Sequence, residues 1–118
     1  MPESEYPPVD LETFRAVMRK AGVEEVVDAT LAVYLEEAPR IFGRLSSAVA
    51  SGDAGAVSSY AHSLKSSSGN IHATALSETM RRLEALGREG DLDAIRDFFP
   101  EARARFDRVM AYLRQEAR

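Results

Sequence analysis

The chain has no cysteine, which rules out disulfides, a thiolate nucleophile and thiolate metal ligands. It has no apolar run approaching the roughly eighteen residues that a membrane-spanning helix requires. There is no basic run long enough to form a stripe, and a formal net charge of −4 argues further against nucleic acid as a partner. The first ten residues, MPESEYPPVD, are acidic and Pro-rich, whereas a secretion signal is basic and then apolar. No segment alternates apolar and polar residues over a useful length, so no strand is expected. What remains, in 118 residues, is one small domain that we expect to be cytoplasmic, binding neither nucleic acid nor membrane.

The apolar residues that are present recur with helical spacing. Residues 1–9 are expected to form a flexible leader, since Pro2, Pro7 and Pro8 deny it regular structure. Asp10 then has the character of an N-cap, with Val9 and Phe14 at the two positions of a hydrophobic staple, which predicts a short helix over 11–20 ending near Gly22. A long second helix is predicted over 23–50, its buried stripe running Val27, Leu31, Tyr34, Leu35, Ala38, Phe42, Leu45 and Val49, with Pro39 bending it. Gly52 closes that helix and Asp53 caps a third, over 54–71, with Val57, Tyr60, Ala61, Leu64, Ser68 and Ile71 turned inward. A turn at 72–74 leads to a fourth helix carrying Leu76, Met80, Leu83 and Leu86 and ended by Gly87 and Gly90. Asp91 caps a fifth, which runs from Leu92 to Leu113 and is bent by Pro100. The fold expected is all-α: residues 10–118 form an antiparallel up-down-up-down four-helix bundle with a short additional N-terminal helix over one end.

The third helix carries the chemistry. At about 100° per residue, His62 falls away from the apolar stripe and shares its bearing with Ser58, Lys65, Ser66, Gly69 and Ala73. A histidine therefore projects from an outer face whose neighbours are small, apart from one lysine. Gly69 inside a helix costs about 1 kcal/mol relative to alanine. Such a glycine fits either close approach of a partner or packing against the next helix. No acidic residue lies between Asp53 and Glu78, where average frequency would place about four, and an acid-free neighbourhood suits an anion at His62. Lys65 is one of only two lysines against thirteen arginines, and it stands a turn from His62 as a compact charge. The plainer reading of this face is a solvated, serine-rich surface. If the third and fourth helices form an antiparallel hairpin about residue 73, Glu84 lies level with His62. A carboxylate accepting from one ring nitrogen would leave the other as a nucleophile. Spacing does not fix the handedness that decides this, and Glu84 could equally pair with Arg81 or Arg88 along its own helix.

Other chemistries find no residues. His62 and His72 stand about 15 Å apart along a continuous helix and cannot share a metal ion. Neither lies in a Glu-x-x-His pattern, and no Gly-rich phosphate loop, Gly-x-Ser-x-Gly elbow or acid for a serine triad is present. No metal site is expected.

The segment AHSLKSSSGNIHA, residues 61–73, resembles the signature of the histidine-containing phosphotransfer (HPt) domains of multistep two-component phosphorelays. The similarity extends through RRLEALGREGD downstream and YLEEAPRIFGRLSSAVASGD upstream, so it covers about residues 10 to 115. It implies that His62 is the phosphorylated residue, that Lys65 steadies the phosphoryl group, and that Glu84 orients the imidazole. Ser58, Ser66, Gly69 and Ala73 would form the partner-docking face. The function implied is that of a carrier without turnover of its own, accepting a phosphoryl group from the phospho-aspartate of one receiver domain and passing it to another. The partners would be receiver domains of a response regulator or hybrid histidine kinase, which would bring the Mg²⁺, while this chain would need no cofactor and act as a monomer. Two positions depart from the family pattern: Ser66 and His72 both stand where glycine is usual. A non-phosphorylated helical adaptor, or a module excised from a larger kinase, are the competing expectations. Met1 and the leader favour a stand-alone protein.

Overall fold

The structure, a computed structural model, describes residues 7–116. Among them are five α-helices and no strand: α1 (Leu11–Lys20), α2 (Val27–Ser51), α3 (Ala54–Asn70), α4 (Thr74–Glu89) and α5 (Leu92–Glu116), with a single 3₁₀ turn at Glu24–Val26. Helices α2 to α5 pack as an all-α bundle in which each touches the next and α5 returns to α2. None of the described helices is long and apolar enough to cross a membrane.

The starts of three helices follow from one acid each. The carboxylate of Asp10 accepts the Thr13 N–H at 3.0 Å, that of Asp53 accepts the Ala56 N–H at 3.0 Å, and that of Asp91 accepts the Ala94 N–H at 3.1 Å. Helix α2 has no side-chain cap, and it begins later than the predicted residue 23. The Val26 N–H bonds back to the Val23 carbonyl at 3.1 Å, so the chain makes one 3₁₀ turn before settling into α-helix. Pro39 and Pro100 lie inside α2 and α5, and neither ends its helix.

Helix ends share one closure. After α2, the Gly52 and Asp53 N–H groups bond back to the carbonyls of Val49 and Ala48, with Gly52 at φ +75°. The same pair of bonds closes α3, from His72 to Gly69 and from Ala73 to Ser68. There, however, the left-handed position is held by a histidine at φ +64°. Histidine tolerates this region better than most side chains, although the strain is real. Two contacts offset it: the His72 carbonyl accepts the Asp10 N–H at 3.0 Å, and its ring lies 5.6 Å from that of Phe14. Helix α1 is thereby fastened over the end of the bundle where α3 turns into α4. Val9, the last residue of the segment expected to be a flexible leader, is fully buried in this arrangement, so that segment is anchored at its end. Residues 1–6 of it lie outside the described residues.

The predicted stripes supply the core. Val27, Tyr34, Leu45, Val57, Leu64, Leu76, Met80, Leu83, Ile95 and Leu113 are buried, and Phe42 stacks on Phe106 at 4.3 Å to join α2 to α5. Gly87 does not end α4 as expected but lies two residues inside it, buried. A Cβ there would come within 2.7 Å of the Ser58 nitrogen and 2.8 Å of the Ala54 oxygen, so the glycine serves a close approach of α4 to the backbone of α3.

Candidate functional site

Helix α3 leaves the bundle with its inner face filled by Val57, Ala61, Leu64 and Ser68, which rotates His62 outward. Its side chain is 60% exposed, whereas the Lys65 side chain is 29% exposed and that of Glu84 only 9%. Glu84 stands on α4, opposite His62 across the hairpin, and its carboxylate is divided between two partners. Oε2 lies 2.9 Å from Nδ1 of His62, and Oε1 accepts from Nζ of Lys65 at 2.8 Å. The alternative partners from its own helix do not compete: Arg81 pairs with Glu78 at 2.8 Å.

The electrostatics fix the proton. The Lys65 ammonium, and after it the His62 ring, hold the Glu84 carboxyl below the usual carboxylate range, against the upward push of burial. An ionised carboxylate only accepts hydrogen bonds, so Nδ1 of His62 is the donor. In the neutral imidazole the lone pair then resides on Nε2, which has no hydrogen-bond partner among the described residues, in a side chain that is 60% exposed. The arrangement is that of an oriented nitrogen nucleophile beside a cation, on a helix that carries no acidic residue.

The structure brings His62, Lys65 and Glu84 together. Ser66 and Gly69 are exposed on the same helix, and Ser58 is half-buried. Ala73 does not join them: it is fully buried and contributes no docking surface. Its expected bearing assumes a helix continuing past residue 70, whereas Ala73 lies beyond the left-handed residue that closes α3, where an apolar side chain turns back onto the helix. Lys65 also differs from a freely extended cation, since its ammonium is engaged by Glu84. Two residues of the hairpin are not singled out by sequence as part of this site. Ser77 donates from Oγ to the Lys65 carbonyl at 2.9 Å, and Gly87 seats α4 against Ser58. Glycine at 87 is visible in the sequence, but as a helix terminator. Val26, in the 3₁₀ turn, and Val33, on α2, are 39% and 60% exposed. Among the described residues no group of three or more His, Asp or Glu could hold a metal ion.

The family model described as Hpt domain matches residues 29–116. Comparison with curated protein sequences finds no match. Among solved structures, histidine-containing phosphotransfer protein B from Pseudomonas aeruginosa is similar with a TM-score of 0.82 at 24% identity, over 94% of this chain and 95% of that one. That likeness speaks for the fold: the helices, their order and their bundle are shared.

Proposed function

The chain belongs to the Hpt domain family, and on that premise we propose that it is a phosphorelay carrier in which His62 accepts a phosphoryl group from the phospho-aspartate of one receiver domain and surrenders it to another. The observation that carries this reading is the single carboxylate of Glu84 that meets both Nδ1 of His62 and Nζ of Lys65.

In the transfer, the Nε2 lone pair attacks phosphorus in line with the aspartyl oxygen. The Nε2–P bond forms as the P–O bond breaks, and the departing aspartate keeps the bonding electron pair. The ring becomes cationic in that step, with its remaining proton on Nδ1 facing Glu84, so the carboxylate lies where positive charge develops. Lys65 is within one helical turn and exchanges Glu84 for a phosphoryl oxygen once that group is in place. The receiver supplies its own Mg²⁺ and most of the stabilisation of the transferring group. This chain supplies a held nucleophile, one cation and a face of small residues around Ser66 and Gly69, and it has no turnover of its own.

The test is transfer from a phosphorylated receiver to the wild-type protein and to His62→Gln. The expected result is an acid-labile, base-stable label on the wild type and none on the variant. A label retained by the variant, or none on the wild type from a broad panel of receivers that nevertheless bind it, would overturn the carrier reading in favour of a non-phosphorylated adaptor.

A further inference from the structure

Helices α3 and α4 are in register at two contacts that bracket the Glu84–His62 pair. On one side, Gly87 lies three residues beyond Glu84, on the same face of α4, against Ser58, which lies four residues before His62 on α3. The space there is less than a methyl group needs: a Cβ on Gly87 would come 2.7 Å from the Ser58 nitrogen, 2.8 Å from the Ala54 oxygen and 3.0 Å from the Ser58 Cα. All three are backbone atoms of a continuous helix, so no side-chain rotation relieves the clash. On the other side, Ser77 donates to the Lys65 carbonyl at 2.9 Å, beside Gly69, where a Cβ would stand 3.3 Å from the serine oxygen.

We propose that Gly87 is a positioning residue for His62: by lacking a side chain it sets the distance between α3 and α4 at which the Glu84 carboxylate reaches Nδ1 and Nζ together. Glu84 is buried between the two helices, and its carboxylate is engaged at both oxygens. Its two hydrogen bonds, 2.9 Å and 2.8 Å, tolerate only a few tenths of an ångström of added separation if both are to be kept. Any side chain at 87 moves α4 off α3 one turn from Glu84 and separates the carboxylate from the ring. The imidazole, exposed and no longer held, then samples both tautomers, and the one protonated on Nε2 is not a nucleophile at that atom. The consequence for phosphoryl acceptance rests on the carrier reading above; the consequence for the tautomer does not.

The experiment compares Gly87→Ala with two controls. Gly43→Ala adds a methyl to an exposed glycine of α2 whose Cβ would meet nothing within 4 Å. Met110→Ala removes a buried side chain that lines the groove between α2 and α5 with Phe42 and Phe106, and lowers stability through lost packing. The first readout is the ¹⁵N spectrum of the His62 ring in the unphosphorylated protein, recorded with the imidazole neutral. The wild type and both controls should show the form protonated on Nδ1, and Gly87→Ala a mixture. The second is the rate of phosphoryl acceptance from a receiver, expected to fall about tenfold in Gly87→Ala and to hold in the controls, since sub-ångström misplacement of a reacting group is worth factors of this size. A Gly87→Ala protein that loses stability like Met110→Ala yet keeps the wild-type tautomer would overturn the proposal and leave Gly87 a packing residue. Should that variant fail to fold, Ser77→Ala loosens the other bracket and tests the premise that the α3–α4 distance holds the ring: a mixed tautomer there supports the proposal, and an unchanged one removes its premise and overturns it. If the wild type itself accepts no phosphoryl group, the carrier reading falls, and the ring spectrum still decides the role of Gly87.

Discussion

The hydroxyls of Tyr34 and Ser68 meet 2.9 Å apart in the seam between α2 and α3, and both residues are buried from water. Each satisfies the other, and removing one strands its partner in an apolar interior. Tyr34→Phe is therefore expected to lower stability by about 1–2 kcal/mol, the usual penalty for an unpaired buried hydroxyl. The double variant Tyr34→Phe/Ser68→Ala should recover part of that loss, because it leaves nothing unpaired. Urea unfolding of the two single variants and the pair would measure the coupling.

The same burial makes the tyrosine sensitive to alkali. Exclusion from water pushes the Tyr34 hydroxyl up to about 12 from an ordinary 10.0, outweighing the opposing effect of the Ser68 hydrogen bond. A group whose folded pKa is raised contributes fully below its unfolded value and loses that contribution as pH climbs toward the folded one. Between about pH 10 and 12 the protein should lose roughly 2–3 kcal/mol through this side chain. Tyr34→Phe should be flatter over that window, and the difference between the two unfolding curves isolates the effect.

Glu84 behaves in the opposite sense. Its carboxyl is held below the ordinary range chiefly by Lys65, with a smaller contribution from His62. Its interactions are complete above the usual carboxylate pKa and are lost only as pH falls through the lower folded value. Lys65→Met should move the Glu84 titration upward, toward the ordinary range, and by more than His62→Gln does. Carboxyl ¹³C shifts followed through acid titration would rank the two partners; a larger movement in His62→Gln would make the histidine, and not the lysine, the stronger hold on the carboxylate.

His72 tests what holds a strained turn. His72→Gly removes the left-handed strain and the ring contact with Phe14 together, whereas His72→Ala removes the ring contact and keeps the strain. The glycine variant should be the more stable of the two by about 1 kcal/mol in thermal or urea unfolding. Equal stabilities would mean that the backbone at residue 72 relaxes at no cost.

Gly43 is the simplest site for gain. It is exposed inside α2, and a methyl group there meets no neighbour. Gly43→Ala should add about 0.5–1 kcal/mol by restricting the unfolded chain and favouring the helix, as urea unfolding beside the wild type would measure.

The bundle is legible in the sequence because its punctuation is local. Asp10, Asp53 and Asp91 cap within three residues, and Gly52 and Gly90 close helices by a backbone preference that sequence displays directly. The level of Glu84 opposite His62 follows from helical rise alone, but the contact between them does not, because handedness belongs to the packing of all the helices. Gly87 is mistaken for a terminator because a glycine that ends a helix and one that admits a neighbouring backbone look alike in sequence. Ala73 falls on the wrong surface for a related reason: a histidine closes α3 where a glycine would have announced the end. The later start of α2 is equally hidden, since Glu-Glu-Val at Glu24–Val26 contains no residue that separates a 3₁₀ turn from the first turn of an α-helix.

Every contact that holds His62 in its posture lies within one hairpin, from Ala54 to Glu89, whose arms are joined by a three-residue turn. The partners His62 and Glu84 are 22 residues apart, whereas the Arg103–Ser46 contact between α5 and α2 spans 57. Closing the shorter loop sacrifices less chain entropy, so this hairpin is expected to organise ahead of the α2–α5 contact that closes the bundle. Fraying at either terminus should accordingly shorten the lifetime of the folded protein before it alters the posture of its histidine.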